Sequence, residues 1–291
     1  MQNNPKSYLR IVVLTSLTMI AFAGNSLLCR AALRDTAIDA ASFTTVRLLS
    51  GAMMLWLIVR IRSGKSIGSG NWLSAFTLFV YAAFLSYSYG GLTTAMGALL
   101  LFGAVQATMI GHGLRAGERL QKLQLVGLVI ALAGLVGLLL PGLSAPPLFS
   151  SSLMLASGVA WGIYSLRGKG AGDPIRVTAG NFLRAVPIAL LMSLLMYRHT
   201  SWDSTGISYA VASGALTSGV GYSIWYTVLP LLKATKAATV QLSSPVIAAL
   251  GGVVFLGEPL TLRLVLASAA ILGGIALVIL ERQRAGDAGQ G

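Results

Sequence analysis

Charge is what this sequence has least of: Asp, Glu, Lys and Arg make up 10% of 291 residues, against 55% hydrophobic residues and a mean hydropathy of +0.79. That is too little polar surface for a water-soluble globule of this length. Acid is scarcest. The carboxylates are Asp35, Asp39, Glu118, Asp173, Asp203, Glu258, Glu281 and Asp287, and all fall between the apolar runs or at their ends. Histidine is limited to His112, near the end of a run, and His199, in a connector. There is no His-Glu-x-x-His spacing, no carboxylate pair and no nucleophile with a base, so the sequence offers no catalytic residue, no metal site and no cofactor site. The lone Cys29 cannot form an internal disulfide and says nothing about compartment. Strand-like alternation is missing as well, which argues against a barrel.

What the chain has in abundance is apolar runs of the roughly 20 residues needed to cross about 30 Å of hydrocarbon. Their centres lie near residues 20, 52, 81, 103, 131, 157, 187, 217, 246 and 271. The fold class expected is all-α, an integral membrane bundle of ten transmembrane helices in contact with the lipid bilayer. The first run is too long for a cleavable signal and is kept as a span.

Basic residues are distributed unevenly. With a cytoplasmic N-terminus, alternate connectors carry Lys6, Arg10, Arg60, Arg62, Lys65, Arg115, Arg119, Lys122, Arg167, Lys169, Arg176, Lys233, Lys236, Arg282 and Arg284, which is 15 of the 21 basic residues. The opposite side keeps Arg30, Arg34, Arg198 and Arg263, and Arg47 and Arg184 lie within runs. By the positive-inside rule both termini are cytoplasmic. The net charge of +13 therefore marks orientation, and no nucleic-acid partner is expected.

The chain also repeats itself. Gly117, Glu118 and Leu120 match Gly257, Glu258 and Leu260 at an offset of 140, and with a one-residue gap Tyr87 matches Tyr226. At an offset of 137, Arg30 matches Arg167 and Arg47 matches Arg184. The Pro/Ser-rich connector at 141–152 divides the chain into residues 1–143 and 144–291. Five runs precede it, and an odd number forces the second copy to enter from the other face, so the repeats are inverted. Inverted repeats are a common plan of secondary transporters, with the binding site near the midplane.

Candidate site residues are polar or aromatic groups inside spans. Asn25 is costly in lipid unless it bonds a neighbouring helix or faces a wet cavity. Arg47 and Arg184 lie close enough to the interfaces to snorkel, a reading favoured here over substrate contact. Tyr81 and Tyr87 are the deeper tyrosines of the third run. Trp161, Tyr164, Tyr222, Trp225 and Tyr226 offer aromatic faces, and Gln241, Ser244 and Pro245 fall on one face of the ninth run. Together they would form an uncharged amphipathic pocket, although aromatics also serve as plain packing. The Gly- and hydroxyl-rich stretch from Ser208 to Gly221 is the expected moving gate. Small residues four apart, Gly127 with Ala131, Ala133 with Gly137, Ala269 with Gly273 and Ala270 with Gly274, mark the fifth and tenth runs as scaffold.

Gly117-Glu118-Arg119-Leu120, Gly257-Glu258-Pro259-Leu260, Ser244-Pro245, Ala160-Trp161-Gly162 and the span arginines, on ten runs in two halves, resemble the drug/metabolite transporter superfamily. The nearest likeness is to its bacterial EamA-type exporters, and in size and Trp/Tyr-bearing spans to its aromatic-amino-acid exporters. The resemblance implies a secondary transporter of the bacterial inner membrane, exporting aromatic and other neutral amino acids and related small metabolites as a monomer. It also implies a structural role for Glu118 and Glu258 at helix junctions. Alternatives within the fold are a lipid flippase and a drug/cation exporter. With no carboxylate or histidine at mid-span, downhill export or exchange is expected rather than tight ion coupling.

Overall fold

The computed structural model describes residues 5–63, 70–115, 117, 121–140, 145–168, 172–231 and 240–288, and every regular element among them is helical. In chain order these are α1 (Pro5–Asp35), α2 (Ala40–Ser63), α3 (Trp72–Tyr89), α4 (Thr94–Arg115), α5 (Lys122–Leu139), α6 (Leu148–Arg167) and α7 (Pro174–Leu195). Next comes a rod in which α8 (Ser204–Ala212) continues through a π-helical stretch (Ser213–Val220) into α9 (Gly221–Val228). Last are α10 (Ser243–Leu256) and α11 (Leu262–Ala288). Helices α4, α5 and α7, with Leu9–Asp35 of α1 and Ala40–Arg62 of α2, are long and apolar enough to cross a bilayer. The polarity of the bundle is that of a protein in lipid. Leu194, Leu195, Val254 and Phe255 face outward, while Thr44, Ser86, Ser157 and Asn181 are buried.

The connectors are tight because short polar side chains stop and start the helices. Asn71 caps α3 by accepting from Ser74 N at 2.8 Å, and Asp173, followed by Pro174, caps α7. Asp203 caps α8, and Asp39 accepts from Ala41 N and Ser42 N, each at 3.0 Å, at the start of α2. Gly257 closes α10 with a φ of 62°.

These caps sort into two ends. One gathers the ends of α1, α3 and α10 with the starts of α2, α4, α6 and α8: Arg30 reaches Tyr89 O and Glu258, Ser88 donates to Ser150 O, and Ser201 N donates to Asp39. The other gathers the end of α6 with the starts of α3 and α7: Arg167 donates to Ser74 Oγ and Asn71 Oδ1, and Asn71 N donates to Asn181 Oδ1. Arg62, Arg115, Arg167 and Arg176 sit at or near helix termini of this second, basic end.

Packing joins elements that precede residue 143 to elements that follow it. Helix α6 lies between α3 and α4, and α1 lies between the α8–α9 rod and α10. Helix α2 pairs with α7, and α5 pairs with α11. Glycines set the last contact: a Cβ on Gly127 would strike Gly274 O, and one on Gly274 would strike Gly127 O. The small-residue stripe is used only in part. Gly137 and Gly273 face open space, so the contact runs through Gly127, Ala131, Gly134, Ala270 and Gly274.

Candidate functional site

Because α5 and α11 pair mainly with each other, the remaining helices enclose the centre of the bundle. Between them lies a chamber of about 390 Å³, within the range of small-molecule sites. Helix α1 supplies Phe22, Asn25 and Ser26; α3 supplies Tyr81; α4 supplies Leu101, Phe102, Val105, Gln106 and Met109. Trp161, Ser165 and Gly168 come from α6 and its cap, Pro174 from α7, and Thr217, Tyr222, Trp225, Tyr226 and Leu229 from the rod, with Gln241 just before α10.

One wall is a continuous run of rings. Trp161 lies 4.7 Å from Tyr81 and 5.2 Å from Tyr222, centroid to centroid. Phe22 meets Tyr222 and Trp225 edge-on at 5.8 and 6.0 Å. Such pairs hold one another's orientation and present a flat apolar face to whatever enters.

The opposite feature is a buried polar network. Asn25 Oδ1 accepts from Ser213 Oγ at 2.8 Å and Thr217 Oγ1 at 3.3 Å, both on the π-helical stretch. That fixes the amide, and Asn25 Nδ2 donates to the Tyr81 phenolic oxygen at 3.2 Å. The same oxygen accepts from Arg47 Nη2 at 3.2 Å. Asn25 is thus both an interhelical glue and a chamber residue.

Arg47 corrects the expectation of a snorkelling side chain and of an uncharged surround. It is 1% exposed and stands directly behind Tyr81, its Cζ 5.2 Å from the ring centroid. Its Nε and Nη1 atoms have no hydrogen-bond partner among the described residues. A cation–π contact contributes about 0.5–2 kcal/mol. Desolvating a guanidinium costs several kcal/mol, so Tyr81 alone does not balance it. Arg184, its counterpart in sequence, is half-buried and folds back onto Gly180 O at 2.9 Å.

The chamber runs from mid-bundle to the basic end, where Gly168, Pro174, Leu229 and Gln241 form its rim. The other end is shut. Glu258, 6% exposed, accepts from Arg30 Nε at 3.2 Å and from Thr94 N, the first amide of α4, at 2.8 Å. The glutamate of the Gly-Glu-Pro-Leu motif therefore caps a neighbouring helix, while α11 is capped by Thr261 through Leu264 N. Its counterpart Glu118 lies outside the described residues. Asp39 adds a second tie, accepting from Ser201 N at 3.0 Å. Partial burial pushes its carboxyl upward, but the hydrogen bonds from Ser42, Ser201 and Ala41 outweigh this and hold it below the usual carboxylate range.

Of the candidates named from sequence, Asn25, Tyr81, Trp161, Tyr222, Trp225, Tyr226 and Gln241 converge on the chamber. Tyr164 stands one layer back, buried, 5.5 Å from the Trp161 ring and accepting from Asn181 Nδ2 at 3.4 Å. Ser244 is buried and donates to Met19 Sδ at 3.4 Å, and Tyr87 is 39% exposed on the outer surface of α3. Residues not anticipated are Phe22, Ser26, Gln106, Thr217 and the apolar face of α4. Gln106 carried the same signal as Asn25, an amide inside an apolar run. Phe22 shares a helix face with Asn25. The moving-gate stretch coincides with the π-helical segment, a local departure that often marks functional positions. Among the described residues no three His, Cys, Asp or Glu side chains come together as a metal site would require.

Residues 148–280 match the EamA-like transporter family. The chain is 56% identical over 274 residues to an uncharacterized protein of Pseudomonas aeruginosa, covering 94% of this chain and 96% of that one. It is 35% identical over 155 residues to the threonine/homoserine exporter RhtA of Escherichia coli, covering 50% of this chain and 51% of RhtA. A solved crystal structure superposes with a TM-score of 0.66 at 21% identity, covering 92% of this chain and 97% of that one. That last likeness speaks to the fold alone.

Proposed function

The chain belongs to the EamA-like transporter family and is a multi-pass membrane protein, and from that premise we propose that it exports neutral amino acids and related small metabolites across the bacterial inner membrane. The observation that carries this reading is the ring-walled chamber, open toward the basic end and shut at the other by Arg30 and Glu258. A solute site reachable from one side at a time is the minimum requirement for alternating access. Taking the basic end as cytoplasmic makes this the loading state and places both termini in the cytoplasm.

The moving parts are two inverted five-span halves, residues 1–143 and 144–291, ten spans in all. The exchange symmetry of the helix pairs supports this division. Similarity to RhtA over half the chain favours amino acids, and the aromatic wall favours those with apolar side chains. Among the described residues no carboxylate or histidine lines the chamber, so export runs downhill without proton coupling.

Purified protein in liposomes is expected to carry labelled neutral amino acids at a rate unaffected by an imposed proton gradient; acceleration by the gradient contradicts the uncoupled mechanism. W161A and Q241A are each expected to slow that flux by about tenfold, equivalent to about 1.4 kcal/mol. Unchanged flux in both removes the chamber from the transport path.

A further inference from the structure

At the blind end of the chamber, where Asn25, Tyr81 and Thr217 meet, lies a positive charge that the described fold does not balance. Among the described residues Arg47, 1% exposed, has no partner at Nε or Nη1, and the ion pairs are Arg30 with Glu258 and Arg34 with Asp35. A buried lysine escapes such a position by losing its proton; a guanidinium does not. Intramembrane cations of this kind serve as counter-ions to ligands or pathways.

We propose that the missing anion is the carboxylate of the transported solute, so that the chamber takes amphipathic carboxylates, zwitterionic or anionic, and refuses amines that lack one. The phenolic oxygen of Tyr81 has both acceptor positions taken, by Arg47 Nη2 and Asn25 Nδ2. What it retains is its proton, and the Tyr222 hydroxyl stands within hydrogen-bonding reach beside it, so the two phenols together offer the chamber a donor that a carboxylate accepts. The adjacent guanidinium strengthens that donor and supplies the opposing charge in a medium that screens little. The solute's apolar body then lies against Trp161 and Tyr222, whose rings flank the same position. An ammonium group in the chamber meets ring faces and the amides of Gln106 and Gln241, with no carboxylate among the described residues that line it. Arg47 therefore acts through Tyr81 as a positioning residue that sets charge selectivity.

This assignment rests on the chamber being the solute site of the exporter, and its test requires no transport. The full chain, purified in detergent, is titrated with 3-phenylpropionate, 3-phenylpropanamide and 2-phenylethylamine, with quenching of tryptophan fluorescence as the readout, since Trp161 and Trp225 line the chamber. The acid is expected to bind at least about tenfold more tightly than its amide, and the amine more weakly still. R47M should reduce the acid-over-amide ratio to about twofold or less, and R47K, whose amine can shed its proton at this depth, should keep only part of it. Y81F, which keeps the guanidinium, should lower the ratio part of the way, so the result does not depend on R47M folding. Equal binding of acid and amide, no binding of any of the three, or an unchanged ratio in a folded R47M overturns the proposal. Acid preference in a protein that moves no amino acid across liposomes upholds it and sinks the export reading. Amino-acid flux with no acid preference does the reverse.

Discussion

Arg30, half-buried, and Arg47, buried, lie near the same end of the bundle, and their different surroundings give them different work. Arg30 has Glu258 at 3.2 Å and the carbonyl of Tyr89 at 2.7 Å, so its charge is spent on closing the fold. Removing one partner of a buried pair leaves the other unpaired, which costs about 3 kcal/mol, whereas replacing both by apolar groups costs far less. R30M and E258M should therefore each lower the thermal midpoint of the purified protein by more than half of what the double variant loses. Additive losses in the double variant would show that the pair is not coupled. The family resemblance implied that Glu258 stands at a helix junction but not which helix it caps, because that depends on where Thr94 comes to lie. Arg47 was misplaced for a similar reason. Its distance from the end of its run allowed snorkelling, and only the approach of Tyr81 and Asn25 from neighbouring helices shows it turned inward. Tyr81 and Tyr87, by contrast, were separable in principle, since six residues along a helix rotate the side chain to another face. Gln241 and Ser244 share a face only of an unbroken helix, and the chain turns at Leu242.

At the level of elements, the π-helical stretch is the joint between the chamber and the first half of the chain. It bonds Asn25 through Ser213 and Thr217, and it packs on α2 where a Cβ on Gly214 would overlap Ser50 Oγ and the carbonyl of Arg47. G214A should thus force the rod away from α2, with a stability loss of about 1–3 kcal/mol as in other overpacked sites. Flux should fall as Arg47 shifts. G137A is the control: its Cβ meets nothing, and replacing a helical glycine by alanine is expected to be neutral or to stabilise by about 0.5 kcal/mol. Equal effects of the two in a thermal denaturation series would refute the packing argument. That this segment departs from ordinary span composition was legible in its glycines and hydroxyls, whereas its change of helical pitch was not, because pitch is settled by what α1 and α2 demand of it. The α5–α11 pair shows the same division. Small-residue spacing marked both helices as scaffold, but spacing alone does not say that they pair with each other or which of two adjacent stripes faces inward.

For the molecule as a whole, the shut end is held by ties between connectors, and one of them is sensitive to acid. Asp39 joins the turn between α1 and α2 to the segment ahead of α8 through Ser201. Its carboxyl is held below the unfolded value of about 3.9, so it stabilises the fold above that pH and the contribution fades as pH falls through the lower, folded value. Between pH 7 and pH 3 the native protein should lose more of its thermal stability than D39N, which starts lower and changes less. A parallel decline in both would assign acid sensitivity elsewhere. The bundle's all-helical class and its membrane setting could be read from run lengths and composition, while the two-part plan drawn from the offset repeats belongs to the proposed mechanism. The direction in which the chamber opens could not, since an alternating protein uses one sequence for more than one arrangement.

Cys29, the chain's single cysteine, is fully buried beneath these ties. The natural protein is accordingly a silent background for thiol chemistry: a reporter cysteine placed at the rim near Gln241, and another at the sealed face near Ser201, would be the sole reactive groups on either side, and their relative labelling rates would track which mouth stands open during a transport cycle.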